Sequence, residues 1–291
     1  LHPAWLSVRL AHTAVSNPRL AAQPPLLVLH GLFGMARNWR SVAKSLARNH
    51  SPIICADLRN HGDSPHHQDM SMTAMVGDVR QFIEQQLDAT PVHLLGHSLG
   101  GKVAMRTALL HPQLVRSLIV VDASPQPSGS KPGWFRSIME LMLSLDLSRP
   151  PDPSLAGTKK AYSEFLAAEV PEKAIREFLL TNLMEEPDCP GKFRWRINLP
   201  ALLTHIEELM GSELNSCQAV YDGPTVFIGG SKSPYIDPKD ASIPRLFPRS
   251  EIVFVEGAGH WVHADRPVEF CSKVTQFLRN CAQTAAAPGG S

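Results

Sequence analysis

The stretch Val92-His93-Leu94-Leu95-Gly96-His97-Ser98-Leu99-Gly100-Gly101-Lys102 constrains this chain more than any other. Apolar-leaning residues run into Gly-His-Ser-Leu-Gly and then into a helical pattern. This is the sequence form of a buried strand that turns sharply into a helix and leaves a serine hydroxyl at the tip, a nucleophile elbow. Such a turn needs Gly96 and Gly100 bare, because the backbone doubles back around Ser98 and brings strand and helix close. Ser98 then opens a helix over about residues 100–110, where free N–H groups and the helix dipole favour negative charge. Five positions with two wildcards recur by chance in many chains. The strand before and the helix after give the motif its weight.

At 291 residues the chain can bury one large core and carry an insertion. Lysine and arginine number 28 against 27 acids, so no overall field selects nucleic acid or an anionic membrane. The cysteines Cys55, Cys189, Cys217, Cys271 and Cys281 are scattered, odd in number and without C-x-x-C spacing. That pattern argues against a disulfide framework or zinc site and for a reducing compartment. No apolar run is long enough to cross a bilayer. The first acid is Asp57, and the basic segment before it superficially resembles a transit peptide, but it already reads as strands and a helix. Residue 1 is Leu rather than Met, as in a fragment or a processed form, and any targeting segment would lie upstream.

Residues 5–12 alternate weakly as a first strand, with Asn17-Pro18 turning into a second. Residues 26–29 are a continuous apolar run, the mark of a strand covered on both faces, and end in His30-Gly31-Leu32-Phe33-Gly34. A helix with Trp39, Val42, Ala43 and Leu46 follows, then a buried strand at 53–56 and its exit loop from Asp57 to Ser64. Met75, Val79, Phe82, Ile83 and Leu87 mark a helix face leading to the elbow strand, and residues 117–121 form the next strand, ending at Asp122. Alternating strand and helix argues a parallel sheet with crossover helices.

From about 124 to 219 the alternation stops, and the chain reads as helices with Pro-rich joints. Trp134, Ile138, Leu141, Met142 and Leu145 share one face, and Leu202, Leu203, Ile206, Leu209 and Met210 another. Strands at 225–228 and 251–255 and a closing helix at 267–278 restore the alternation. The expected organisation is a core of residues 1–123 and 220–281, a helical cap of residues 124–219, and a disordered tail of residues 282–291.

With Ser98 and its flanks placed, the chain resembles the α/β-hydrolase superfamily over about residues 5–280. More narrowly it resembles the abhydrolase-domain-containing protein eleven type and related bacterial short-chain acyl esterases. The matching runs are His30 to Gly34, Arg59-Asn60-His61-Gly62-Asp63-Ser64-Pro65, Gly96 to Lys102, and Gly259-His260-Trp261-Val262-His263-Ala264-Asp265-Arg266-Pro267. The resemblance implies a mostly parallel eight-stranded sheet with helices on both faces and a helical cap.

A serine hydroxyl needs a base to take its proton as it attacks a carbonyl. His260 is the candidate, because Gly257-Ala258-Gly259 can carry its imidazole over the sheet edge toward Ser98, and the order nucleophile, acid, histidine agrees with this fold. His263 is its nearest rival, beside the final helix. His97 is expected to point into the scaffold, and His30 and His61 to organise loops. The acid must hold the imidazole tautomer. The superfamily usually places it after the penultimate strand, yet Gly229-Gly230-Ser231-Lys232-Ser233-Pro234-Tyr235 offers no carboxylate there. Asp122, at the position the related bacterial esterases use, is the expected acid, with Asp237 and Asp240 as alternatives and Asp57 as a loop organiser.

By resemblance and offset, the oxyanion hole is expected to use the backbone N–H groups of Leu99 and Leu32. Phe33, Trp261 and residues 134–147 are the expected acyl pocket. Arg194, Trp195 and Arg196 present either an anion site or a solvated strand face.

The expected activity is cleavage of carboxylic esters, thioesters or acylglycerols through an acyl-enzyme, with no metal or organic cofactor. The partner is a small acyl substrate; a protein partner is not readable here. Other readings are a lyase or perhydrolase on the same triad, or a catalytically silent binding or partner protein. Ser98, His260 and the oxyanion turn together argue against pure binding. For a eukaryotic member the resemblance implies mitochondria, with cytoplasm as the alternative.

Overall fold

The computed structural model describes residues 7–21, 23–127, 132–211, 214 and 218–286. Its centre is a seven-stranded sheet: β1 (His12–Val15), β2 (Leu26–Leu29), β3 (Ile53–Ala56), β4 (Val92–His97), β5 (Val115–Val121), β8 (Thr225–Gly230) and β9 (Ser250–Val255). Their spatial order is β1-β3-β2-β4-β5-β8-β9; β1 is antiparallel and all other pairs are parallel. The elements between β5 and β8 are α4 (Pro132–Leu143), α5 (Leu155–Phe165), α6 (Lys173–Leu180), β6 (Leu183–Glu186), β7 (Cys189–Trp195) and α7 (Leu199–Met210).

The apolar runs make this sheet because successive side chains of a strand face opposite sides, and both sides are covered. Leu27, Leu29, Ile54, Leu94 and Leu118 join one core with α2 (Met72–Gln86), α3 (Leu99–Leu110) and α7. Leu26, Val28, Ile53, Leu95 and Ile119 join a second with α1 (Arg40–Leu46) and α8 (Pro267–Ala286). Each such side chain, withdrawn from water, contributes about 1.5–3 kcal/mol. A smaller third cluster, with Tyr162, Leu166, Leu180 and Phe193, lies within residues 145–193.

Four expectations need correction. The described sheet has seven strands rather than eight. Residues 7–11 form no strand, and two of their amides go to side chains instead of a ladder: Val8 N–H donates to Asp78 Oδ1 at 2.7 Å and Ala11 N–H to Ser64 Oγ at 2.8 Å. Trp5 lies outside the described residues. The 124–219 segment is not wholly helical, since β6 and β7 pair as an antiparallel ribbon around a polar, Pro-containing turn. The closing helix runs on to Ala286, so residues 282–286 are helical, and residues 287–291 lie outside the described residues.

No helix among the described residues is long and apolar enough to cross a membrane.

Candidate active site

The parallel register sets the site. His97 pairs with Val121, so the next residues, Ser98 and Asp122, leave the sheet side by side at the carboxyl ends of β4 and β5. Ligand sites of such sheets form at this edge. Ser98 sits at φ 52° and ψ −116°, a conformation that residues with a Cβ adopt only under constraint. The constraint comes from both sides: Ser98 N–H donates to the Val121 carbonyl at 3.0 Å, and the Ser98 carbonyl accepts from Lys102 N–H at 3.1 Å. A Cβ on Gly96 would lie 2.1 Å from the Gly100 carbonyl oxygen, and one on Gly100 2.5 Å from that of His30. The elbow closes only with glycine at both positions.

Asp122, also at positive φ (47°), is fully buried. Its Oδ1 accepts Gly230 N–H at 3.2 Å, and its Oδ2 accepts the Ser233 hydroxyl and His260 Nδ1–H, the latter at 2.6 Å. Giving Nδ1–H to a carboxylate leaves the lone pair on Nε2. The ring of Tyr235 stacks on His260 at 4.3 Å, and His97 Nε2–H donates to the His260 carbonyl at 2.9 Å. The imidazole is thus fixed by its edge, its face and its backbone. Neither alternative acid reaches it: Asp240 is engaged by Ser124, Gln126 and Ser242, and Asp237 is exposed and accepts from Lys239 N–H. His263 is buried, stacked on Trp39 at 4.0 Å, and burial lowers its pKa to about 3.

The turn from Gly31 to Gly34 lies opposite. Gly34 N–H donates to the Gly31 carbonyl at 2.9 Å, and Phe33, at φ 62°, donates its N–H to His61 Nε2 at 3.2 Å. His61 Nδ1–H donates to the Arg59 carbonyl, and His30 bridges the Gly31 carbonyl and Leu58 N–H. Both imidazoles therefore serve as neutral donor–acceptor struts. Burial lowers their pKa values, to about 4 for His30 and about 3 for His61. The Leu32 and Leu99 amides have no acceptor among the described residues. Asp57 organises its own loop through Ala36 and Asp63 N–H groups.

Ser98, His260, Asp122 and the turn line one cavity of about 190 Å³. Its apolar wall comes from Phe33 and Trp261 of the sheet layer, Trp134 and Phe135 of α4, Ile175 and Phe178 of α6, and Leu209 and Met210 of α7. Phe33 meets Phe135 at 6.3 Å and Phe178 meets Trp261 at 5.9 Å between ring centres. Arg194, Trp195 and Arg196 do not line it. They bond to Glu186, the Met142 carbonyl and Asp63, respectively.

Three contributors went unread in the sequence. Ser233 and Tyr235 occupy the loop whose missing carboxylate the sequence does reveal, and that gap was the signal that the loop serves the site differently. Lys102 is the third. Its ammonium bonds the carbonyls of Leu209, Met210 and Gly211 at 2.9–3.1 Å, joining α3 to the end of α7, and burial lowers its pKa to about 8.

A family model described as the alpha/beta hydrolase fold matches residues 24–267, and the chain belongs to that family. Among curated relatives, "sn-1-specific diacylglycerol lipase ABHD11" of Mus musculus is 41% identical over 261 residues, covering 89% of this chain and 82% of that protein. The protein of the same name from Xenopus laevis is 40% identical over 259 residues, covering 88% and 80%. Among solved structures, a marine microorganism esterase is 33% identical with a TM-score of 0.84, covering 93% of this chain and all of that one.

Proposed function

We propose that this chain is a serine hydrolase of carboxylic esters, with Ser98 as nucleophile, His260 as base and Asp122 as its orienting acid. The observation that carries the reading is the His260 Nδ1–Asp122 Oδ2 hydrogen bond of 2.6 Å beside a strained Ser98 in one apolar cavity. His260 Nε2 takes the hydroxyl proton as Ser98 Oγ bonds to the acyl carbon, and Asp122 stabilises the imidazolium that forms. The carbonyl oxygen becomes an oxyanion that accepts from Leu32 and Leu99 N–H at the start of α3. Its collapse expels the alcohol, which takes the proton back from His260. Water then repeats the cycle on the acyl-serine and frees the acid.

The apolar wall supports an acyl chain as the bound group. The diacylglycerol lipases among the relatives support an acylglycerol as its source. Residues 124–219 act as the cap that sets chain length, and family resemblance supports a mitochondrial compartment for the protein, which imaging of a tagged form checks.

The test is hydrolysis of a p-nitrophenyl ester series from acetate to laurate, with a diacylglycerol in mixed micelles. Activity is expected on both, with kcat/KM rising with acyl length until the cavity is filled. No turnover on any member would instead favour a binding protein.

A further inference from the structure

Asn182 lies between α6 and β6, is fully buried, and has no part in the steps above. Its Nδ2 donates to the Phe33 carbonyl at 2.8 Å and to the Leu179 carbonyl at 3.3 Å, while its Oδ1 has no partner among the described residues. A buried acceptor left unpaired is destabilising, and an apolar side chain of similar shape would remove that cost. The side chain therefore acts here through its Nδ2, whose shorter bond is to Phe33.

A trans peptide carries its C=O and the following N–H on opposite edges, so hydrogen bonding passes through the turn plane by plane. Asn182 donates to the Phe33 carbonyl. The N–H of that same plane belongs to Gly34 and donates to the Gly31 carbonyl at 2.9 Å. The N–H of the Gly31 plane belongs to Leu32, an amide with no acceptor among the described residues. The dipoles run head to tail, and such chains polarise in one sense, which strengthens the terminal donor. Phe33 is held at φ 62°, from which its peptide would relax without ties at both ends. His61 supplies one tie and Asn182 the other.

We propose that Asn182 is a positioning residue for the oxyanion hole, orienting and polarising the Leu32 N–H through the Phe33–Gly34 and Gly31–Leu32 peptides. The inference rests on the serine-hydrolase reading. It also joins substrate seating to chemistry: α6, which brings Ile175 and Phe178 to the cavity, ends two residues before Asn182.

The experiment compares wild type with Asn182→Leu and with the near-isosteric Asn182→Asp, which cannot donate when ionised. Loss of an oxyanion donor outright costs about 10²–10³ in kcat, so loss of its orientation is expected to cost about tenfold. KM should stay within about threefold, and affinity for a trifluoromethyl ketone should fall in proportion to kcat/KM. Affinity for an unreactive ether analogue of the ester should hold and the pH profile should not move, while the Leu variant melts somewhat lower because the buried Phe33 carbonyl loses its side-chain donor. In ¹⁵N-labelled protein the Leu32 amide resonance should shift. Unchanged kcat with an unmoved Leu32 resonance overturns the proposal. So does a fall in kcat matched by an equal loss in ether affinity, which marks a merely structural role. If wild type shows no Ser98-dependent turnover, the hydrolase reading fails by itself, and the Leu32 resonance still decides the relay: a shift in Asn182→Leu keeps it and no shift overturns it.

Discussion

Asp122→Asn is expected to lower kcat by about 10⁴ while the protein still folds. The size follows from what a primary amide must do in that setting. Gly230 N–H points at Oδ1, so an asparagine keeps its oxygen there and turns its NH₂ toward His260 and Ser233. The amide then donates to His260 Nδ1, the ring proton moves to Nε2, and the base has no lone pair to offer Ser98. The side chain is otherwise similar in shape and remains buried and bonded. Asp237→Asn, at an exposed carboxylate that bonds only locally, is expected to stay within about threefold. Steady-state kinetics of both variants on one ester checks the ranking. Near-normal turnover by Asp122→Asn, or a larger loss at Asp237, would move the acid elsewhere.

Acid is expected to unfold the protein well above the usual carboxylate range. Burial holds the pKa values of His30 at about 4 and of His61, His93 and His263 at about 3, and lowers that of His97 well below its ordinary value. In the unfolded chain each titrates near 6.5. Below that pH the unfolded state binds protons that the folded state refuses, so stability is intact above about pH 6.5 and falls as pH drops toward the folded values. At pH 5 each ring whose folded pKa lies at 3–4 removes about 2 kcal/mol, and the four removes about 8 kcal/mol together. That is comparable to the whole stability of a typical domain. Asp57, whose pKa burial raises, opposes the trend, but it is a single carboxylate. Urea titrations at pH 7.5 and 5.5 are expected to differ by several kcal/mol; equal stabilities would show that these rings are hydrated in solution.

The same histidines show how far the sequence could be read. The ring nitrogens of three of them brace the turns around Ser98: His30 and His61 hold the Gly31–Gly34 turn and His97 holds the loop of His260. The sequence identified all three as scaffold because His260 had the glycine loop and the chain order, and they did not. The core strands were legible for a simple reason. A strand covered on both faces is a short unbroken apolar run, and residues 26–29 and 53–56 match their strands to the residue.

Where side chains substitute for a ladder, that rule fails, as at residues 7–11, where the Val8 and Ala11 amides bond to Asp78 and Ser64. The β6–β7 ribbon escaped for a related reason. It is half exposed and polar, so it has neither an apolar run nor clean alternation. Asn182 carries no local signal at all, and Ser233 and Tyr235 only the missing carboxylate of their loop. Each matters only through a partner far along the chain, Phe33, Asp122 and His260 respectively.

Ser98 as the nucleophile is read from the adduct of a fluorophosphonate, mapped by peptide mass. One adduct per chain is expected, on the peptide that contains Ser98, absent from Ser98→Ala and formed far more slowly by His260→Ala. An adduct on another residue, or none where a known serine esterase labels fully, would overturn the assignment.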